Sequence, residues 1–171
     1  NTALEIHGVS HYMRTKLIVY LFSPLSTPLP RWFLAYKWEN EIQHVKTSML
    51  PREVGLTTHQ EQNIPFTVST SERAILECLY LAPKKMDLVE CYHLMEGLSN
   101  LRPKVLQELL EKCSSVKVKR LFLFMATKAQ HQWLSFIDQK KIDLGKGDRS
   151  IVDHGVYNAA FHITIPKELA S

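Results

Sequence analysis

Residues 116–127, Val116-Lys-Val-Lys-Arg-Leu-Phe-Leu-Phe-Met-Ala-Thr127, decide the architecture. Val116, Val118, Leu121, Phe122, Leu123, Phe124 and Met125 place apolar groups around most of a helical circumference. A helix that is apolar nearly all round must be wrapped by other elements, so this one is expected at the centre of a helical bundle.

The wrapping elements precede it. Pro103 starts a helix that runs through Val105, Leu106, Leu109 and Leu110, and another covers residues 88–95 and stops at Gly97. From Thr70, the residues Ala74, Ile75, Cys78, Leu79 and Leu81 recur at helical spacing until Pro83. Ser69 stands at the capping-box distance from Glu72, so capping accounts for both, and Arg73 reads as an ordinary first-turn residue.

Before Thr70 the chain reads as mostly β. Lys16-Leu-Ile-Val-Tyr-Leu-Phe22 is β-branched and aromatic, predicting a well-buried strand. Glu41-Ile-Gln-His-Val-Lys-Thr47 alternates apolar and polar residues, as does Ile64-Pro-Phe-Thr-Val-Ser69 after a polar loop, with Pro65 placing the latter at an edge or a strand start. Pro24, Pro28 and Pro30 forbid regular pairing across the loop that follows Phe22, and Pro30 starts a short helix carrying Arg31, Trp32 and Phe33. The opening Thr2-Ala-Leu-Glu-Ile-His-Gly8 reads as a short helix closed by Gly8. Beyond Phe136 the chain is polar and Gly-punctuated until Ser150-Ile-Val-Asp153 and Phe161-His-Ile-Thr-Ile165, two strand candidates separated by turn formers at His154-Gly155 and Asn158. The order predicts an α+β domain over residues 1–171: an N-terminal β-rich part, a central helical bundle and a short C-terminal β-hairpin.

With 171 residues, 45% hydrophobic and 22% charged, the chain can bury the core of one domain, and no apolar run approaches a membrane span. Three cysteines at long spacings, with no C-x-x-C pair, fit a reducing cytoplasm and give no zinc signature. The absence of an initiator Met and of a secretory signal suggests a piece of a longer cytoplasmic protein.

Catalytic and metal constellations do not assemble from the residues. His7 and His11 are separated by the helix-breaking Gly8, and His93 with Glu96 has no matching second pair. Glu39 and Glu41 are a close acid pair, and Asp138-Gln139-Lys140 resembles the acid-x-Lys end of restriction-type nuclease sites, which motivates a metal-dependent nuclease or nucleotidyltransferase-like enzyme as an alternative. Gly145-Lys146-Gly147 lacks the ending of a phosphate loop and reads as a turn. Cys78 and Cys91 sit in apolar helical stripes as inert thiols. No catalytic residue, metal or cofactor is assigned.

The net charge of +4 matters less than its placement. Lys112, Lys117, Lys119, Arg120 and Lys128 fall in a stretch, residues 112–137, without a single Asp or Glu. Such a run either contacts phosphates or forms a solvated face beside the buried helix.

Several segments together resemble the AbiEi antitoxin family of type IV toxin–antitoxin systems. They are Asn1-Thr-Ala-Leu-Glu-Ile-His-Gly-Val-Ser-His-Tyr12, Ser69-Thr-Ser-Glu-Arg-Ala-Ile-Leu-Glu77, Leu94-Met-Glu-Gly-Leu98, Leu101-Arg-Pro-Lys104, Ser115-Val-Lys-Val-Lys-Arg-Leu-Phe-Leu-Phe124, Lys141-Ile-Asp-Leu-Gly145 and Tyr157 through Ile163-Thr-Ile-Pro-Lys167. The resemblance implies a non-enzymatic bacterial antitoxin that counters a nucleotidyltransferase-like, AbiEii-type toxin and represses its own operon. It also implies that operator DNA is bound mainly by an N-terminal winged helix-turn-helix missing from this chain, which would be the C-terminal antitoxin domain. Lys117, Lys119, Arg120 and Lys128 are then the candidate nucleic-acid contacts of this domain, and a pure protein-interaction role is the blander alternative.

Overall fold

A computed structural model describes residues 2–8 and 18–170. Its elements, in chain order, are α1 (Thr2–Ile6), β1 (Ile18–Ser23), α2 (Arg31–Ala35), β2 (Glu41–Lys46), β3 (Leu56–Glu61), β4 (Ile64–Ser69), α3 (Ser71–Leu81), α4 (Leu88–Glu96), α5 (Pro103–Lys112), α6 (Val116–Lys128), β5 (Arg149–Ser150), β6 (Val156–Asn158) and β7 (Ile163–Ile165). The class is α+β, with strands first, a helical centre and a small sheet last.

The central position of α6 follows from its composition. Nine consecutive residues, from Val118 to Ala126, are buried. Helix α3 packs along it, joined by α4. Helix α5 covers α3 through one apolar stripe, Leu106, Leu109 and Leu110, whose members are all buried. Trp133, in a 3-10 turn over Gln132–Phe136, stacks with His131 and donates its indole N–H to the Leu98 carbonyl at 2.7 Å. That bond ties the segment after α6 to the end of α4.

The sheets are small. β1 and β2 pair in parallel from Ile18 opposite Glu41 to Ser23 opposite Lys46, with α2 in the crossover. β3 and β4 form an antiparallel hairpin. β7 lies between β5, with which it is parallel, and β6, with which it is antiparallel.

Several expectations need correction. The strand predicted from Lys16 begins at Ile18 among the described residues, and Lys16 and Leu17 lie outside them, as do His11 and the Val9-to-Tyr12 part of the family-like opening. β1 is half-buried throughout, not well buried, because a two-stranded sheet offers limited cover. The predicted polar loop before Ile64 contains a strand, β3, which is exposed everywhere except at His59 and therefore needs no apolar face. The predicted capping box is absent: Thr70 is the N-cap of α3, while Ser69 and Glu72 are turned to other partners. The two C-terminal strand candidates do not form a hairpin with each other: β5 and β7 pair in parallel, β7 takes as its antiparallel partner β6, in the stretch expected to be turn, and strand pairing in the 150–153 candidate stops at Ser150. There the Thr164 hydroxyl replaces a ladder carbonyl as acceptor for the Ile151 N–H, at 2.8 Å.

Candidate functional site

The basic start of α6 was the sequence's best candidate for contact with a nucleic acid, and the structure turns most of it inward. Arg120 is 2% exposed and Lys119 4%. Arg120 sits in a cage of main-chain oxygens. Its Nε donates to the Leu144 carbonyl at 2.8 Å, Nη1 to Gly147 at 2.6 Å and His162 at 3.0 Å, and Nη2 to Gly145 at 3.2 Å. The planar guanidinium suits this arrangement because its donors diverge in fixed directions. The Gly145-Lys146-Gly147 turn folds around that fork. Gly145 has φ +63°, and a Cβ there would lie 2.9 Å from Val116 Cγ2, so both backbone and space call for glycine.

Lys117 is half-buried, and its ammonium donates to the Tyr80 carbonyl at 2.9 Å and to the Ala82 carbonyl. These are orphan acceptors at the C-terminus of α3, where a cation also meets the negative end of the helix dipole. Burial pushes the Lys117 ammonium below its ordinary pKa. Lys119 is packed near Cys113, whose thiol is raised by burial while Lys119 opposes the rise. Lys128 is half-exposed, with Nζ 5.6 Å from the centre of the Tyr92 ring. The long acid-free stretch is therefore possible because carbonyl dipoles, not carboxylates, face two of its cations. In this conformation Arg120 and Lys119 cannot reach a phosphate, which corrects their expected placement on an accessible basic face.

A second polar centre was not foreseen. Glu72, on the first turn of α3, accepts from the Arg102 main-chain N–H at 2.9 Å and from the Arg102 guanidinium twice at 3.0 Å, fastening the start of α5. Burial alone would raise the Glu72 carboxyl, but the Arg102 bonds hold it down to about 2. The next residue, Arg73, donates to Glu77 at 2.8 Å and to the carbonyls of Pro51 at 2.6 Å and Val54 at 2.9 Å, and Ser69 donates to Glu77 at 2.7 Å. Burial pushes Glu77 up, against the pull of Arg73. This network floors a groove of about 660 Å³ between β1, β4, α1 and α3, with Ile6, Phe22, Met49 and Phe66 in its walls. Ser69, Arg73 and Glu77 pair with one another and with the main chain, so the groove's polar end serves to hold the loop before β3. The readable signal was the pair of oppositely charged residues four apart, Arg73 and Glu77, within an otherwise apolar helical stripe.

The residues behind the enzymatic alternative are used differently. Asp138 caps a 3-10 turn, accepting from the Lys140 N–H at 3.2 Å, and Glu41 accepts from Gln43 at 2.9 Å. His93 pairs with Glu96 at 3.0 Å on the surface. Among the described residues no group of three or more His, Cys, Asp or Glu is placed to hold a metal ion. Cys78, Cys91 and Cys113 are free and buried, and burial pushes the Cys91 thiol far up. On the outer side of the C-terminal sheet Tyr157 donates to Asp148 at 2.8 Å, and His162 Nδ1 lies 3.0 Å from the same carboxylate oxygen.

The segments that carried the family resemblance thus meet one another: Glu72 with Arg102, and Arg120 with the carbonyls of Leu144, Gly145 and His162. A family model described as transcriptional regulator, AbiEi antitoxin, type IV toxin–antitoxin system matches residues 16–166. The chain belongs to the AbiEi antitoxin family. No curated protein and no solved structure matches it. Antitoxin and transcriptional regulator are accordingly the roles of this AbiEi family member, and no helix among its described residues is long and apolar enough to cross a membrane.

Proposed function

We propose that these 171 residues are the antitoxin domain of a transcriptional autorepressor that counters a nucleotidyltransferase-like, AbiEii-type toxin without catalytic turnover of its own. The family match over residues 16–166 is the observation that carries this reading. Operator DNA is bound mainly by a winged helix-turn-helix module outside these residues, and the domain assists. That assistance does not run through Lys119 and Arg120, whose donors are enclosed, nor through Lys117, which serves α3. Lys128, half-exposed at the end of α6, is retained as a phosphate contact. The protein acts in the cytoplasm, a setting in which its buried free thiols persist.

Co-expression with an AbiEii-type toxin tests the reading. Bacteria arrested by the toxin should resume growth when the intact antitoxin is supplied, in medium without added metal. Undiminished toxicity in the presence of a folded, abundant antitoxin would overturn it.

A further inference from the structure

Residues 31–38, Arg31-Trp-Phe-Leu-Ala-Tyr-Lys-Trp38, hold four aromatic rings and two cations in eight positions. None of the α2 residues is buried. Trp32 is 66% exposed, Leu34 68%, Tyr36 61% and Trp38 40%. So much aromatic surface on one short segment marks a recognition site more often than an idle surface.

The rings are organised. Trp32 meets Phe33 edge-on at 5.6 Å, Phe33 meets Trp38 at 4.6 Å, and Trp38 meets Tyr36 at 4.6 Å, giving a continuous file of four. The Trp38 indole N–H donates to the Phe33 carbonyl at 3.0 Å, closing the segment on itself. Pro28 and Pro30 restrict the chain that leads into it. The ridge is therefore built before any partner arrives, and its rings are spared the entropy cost of ordering on binding.

Charge decides what the ridge takes. Between Ile18 and Trp38 there is no carboxylate, and Arg31 and Lys37 are both exposed and form no ion pair among the described residues. Glu39, exposed, closes the ridge on its C-terminal side. Planar rings interleaved with unpaired cations match a ligand of planar bases joined by phosphates. Duplex DNA keeps its bases stacked inside, whereas loops and ends of RNA present them splayed for stacking. We propose that the ridge of residues 31–38 binds an unpaired stretch of RNA, with bases on Trp32 and Tyr36 and phosphates on Arg31 and Lys37. This goes beyond the antitoxin and operator roles and does not depend on them.

The test is fluorescence anisotropy of the intact chain with a labelled 12-nucleotide single-stranded RNA, a DNA of the same sequence and the corresponding RNA duplex. Binding to the single-stranded RNA is expected to exceed that to the duplex and to fall as salt rises. Trp32→Ala with Tyr36→Ala should weaken it at least about tenfold, as expected for lost stacking. Arg31→Glu with Lys37→Glu, which keeps every ring, should also weaken it and flatten the salt dependence. Circular dichroism and melting of both variants should match the parent, since nothing in α2 is buried. Absence of RNA binding, equal binding by the variants, a preference for the duplex, or tighter binding of the DNA overturns the assignment. So does loss of a complex with the toxin by the ring variant while its RNA affinity stays unchanged, which would make the ridge a protein contact.

Discussion

Arg120 shows how a side chain that looks like a ligand contact in sequence becomes a piece of scaffolding. Its charge is stabilised by four carbonyl oxygens spread over residues 144–162, so it fastens the long C-terminal segment to the central helix. Arg120→Lys keeps the charge but replaces a planar fork with a point cation that cannot serve all four acceptors. The expected loss is about 3 kcal/mol, from hydrogen bonds to a charged group that are individually worth about 1.5–3 kcal/mol and do not add. Urea unfolding would show it as a lower midpoint at unchanged slope. Glu72 predicts a pH effect. Its folded pKa of about 2 lies below the ordinary 4.5, so its stabilisation is present above about pH 4.5 and is lost as pH falls toward 2. A shift of that size corresponds to roughly 3 kcal/mol, and the exposed Arg102 partner reduces this to on the order of 2 kcal/mol. Glu72→Gln should flatten stability against pH in that window. A parallel, undiminished acid limb in the variant would assign the acid sensitivity elsewhere. Glu77 works in the opposite sense, because a raised acid binds its proton more tightly in the folded state.

At the level of elements, the helices were legible because their information is local: α4 stops at Gly97, α5 begins at Pro103, and α6 is apolar over most of its surface. β3 was not, since Leu56-Thr-Thr-His-Gln-Glu61 has no apolar alternation to betray a buried face. The turn that follows it did carry a signal. Gln62 and Asn63 have φ +47° and +65°, the positive pair that a two-residue hairpin turn requires, and Asn tolerates it. Asn63→Gly should stabilise the hairpin by up to about 1 kcal/mol, read as slower amide exchange in β3 and β4. Ser69 and Glu72 were misread for a different reason: a capping box and a long-range clasp have the same local spelling, and Arg102 lies 30 positions away. The C-terminal sheet turns on Gly155, where an added Cβ would meet the Ile165 carbonyl oxygen at 2.5 Å and Val152 Cγ2 at 2.6 Å. Gly155→Ala must displace main chain, and a loss of about 1–3 kcal/mol is expected, measured by thermal unfolding.

Across the whole molecule, the C-terminal stretch and the segment 31–38 bear opposite relations to the core. Ile163, Ile165 and Leu169 are buried in the same cluster as α3 and α6, and the carbonyls that hold Arg120 come from this C-terminal stretch. Ending the chain after residue 141 would remove that apolar surface, bare the core residues it covers and take away all four acceptors of Arg120. Losing the buried Ile142, Ile163, Ile165 and Leu169, at about 1.5–3 kcal/mol each, is comparable with the entire stability of a domain of this size. The shortened protein should therefore lose cooperative unfolding altogether, with no smaller stable core left behind, and calorimetry should show no transition. The ridge at residues 31–38 makes the complementary case, because it contributes its rings to the surface and none of α2 to the interior. Replacing Trp32 and Tyr36 with Ala should leave the unfolding free energy within about 0.5 kcal/mol per site, the usual range for surface changes. A larger loss would place those rings in the fold's own support. Stability near the parent's, together with weakened RNA binding, separates a surface kept for a ligand from one kept for packing.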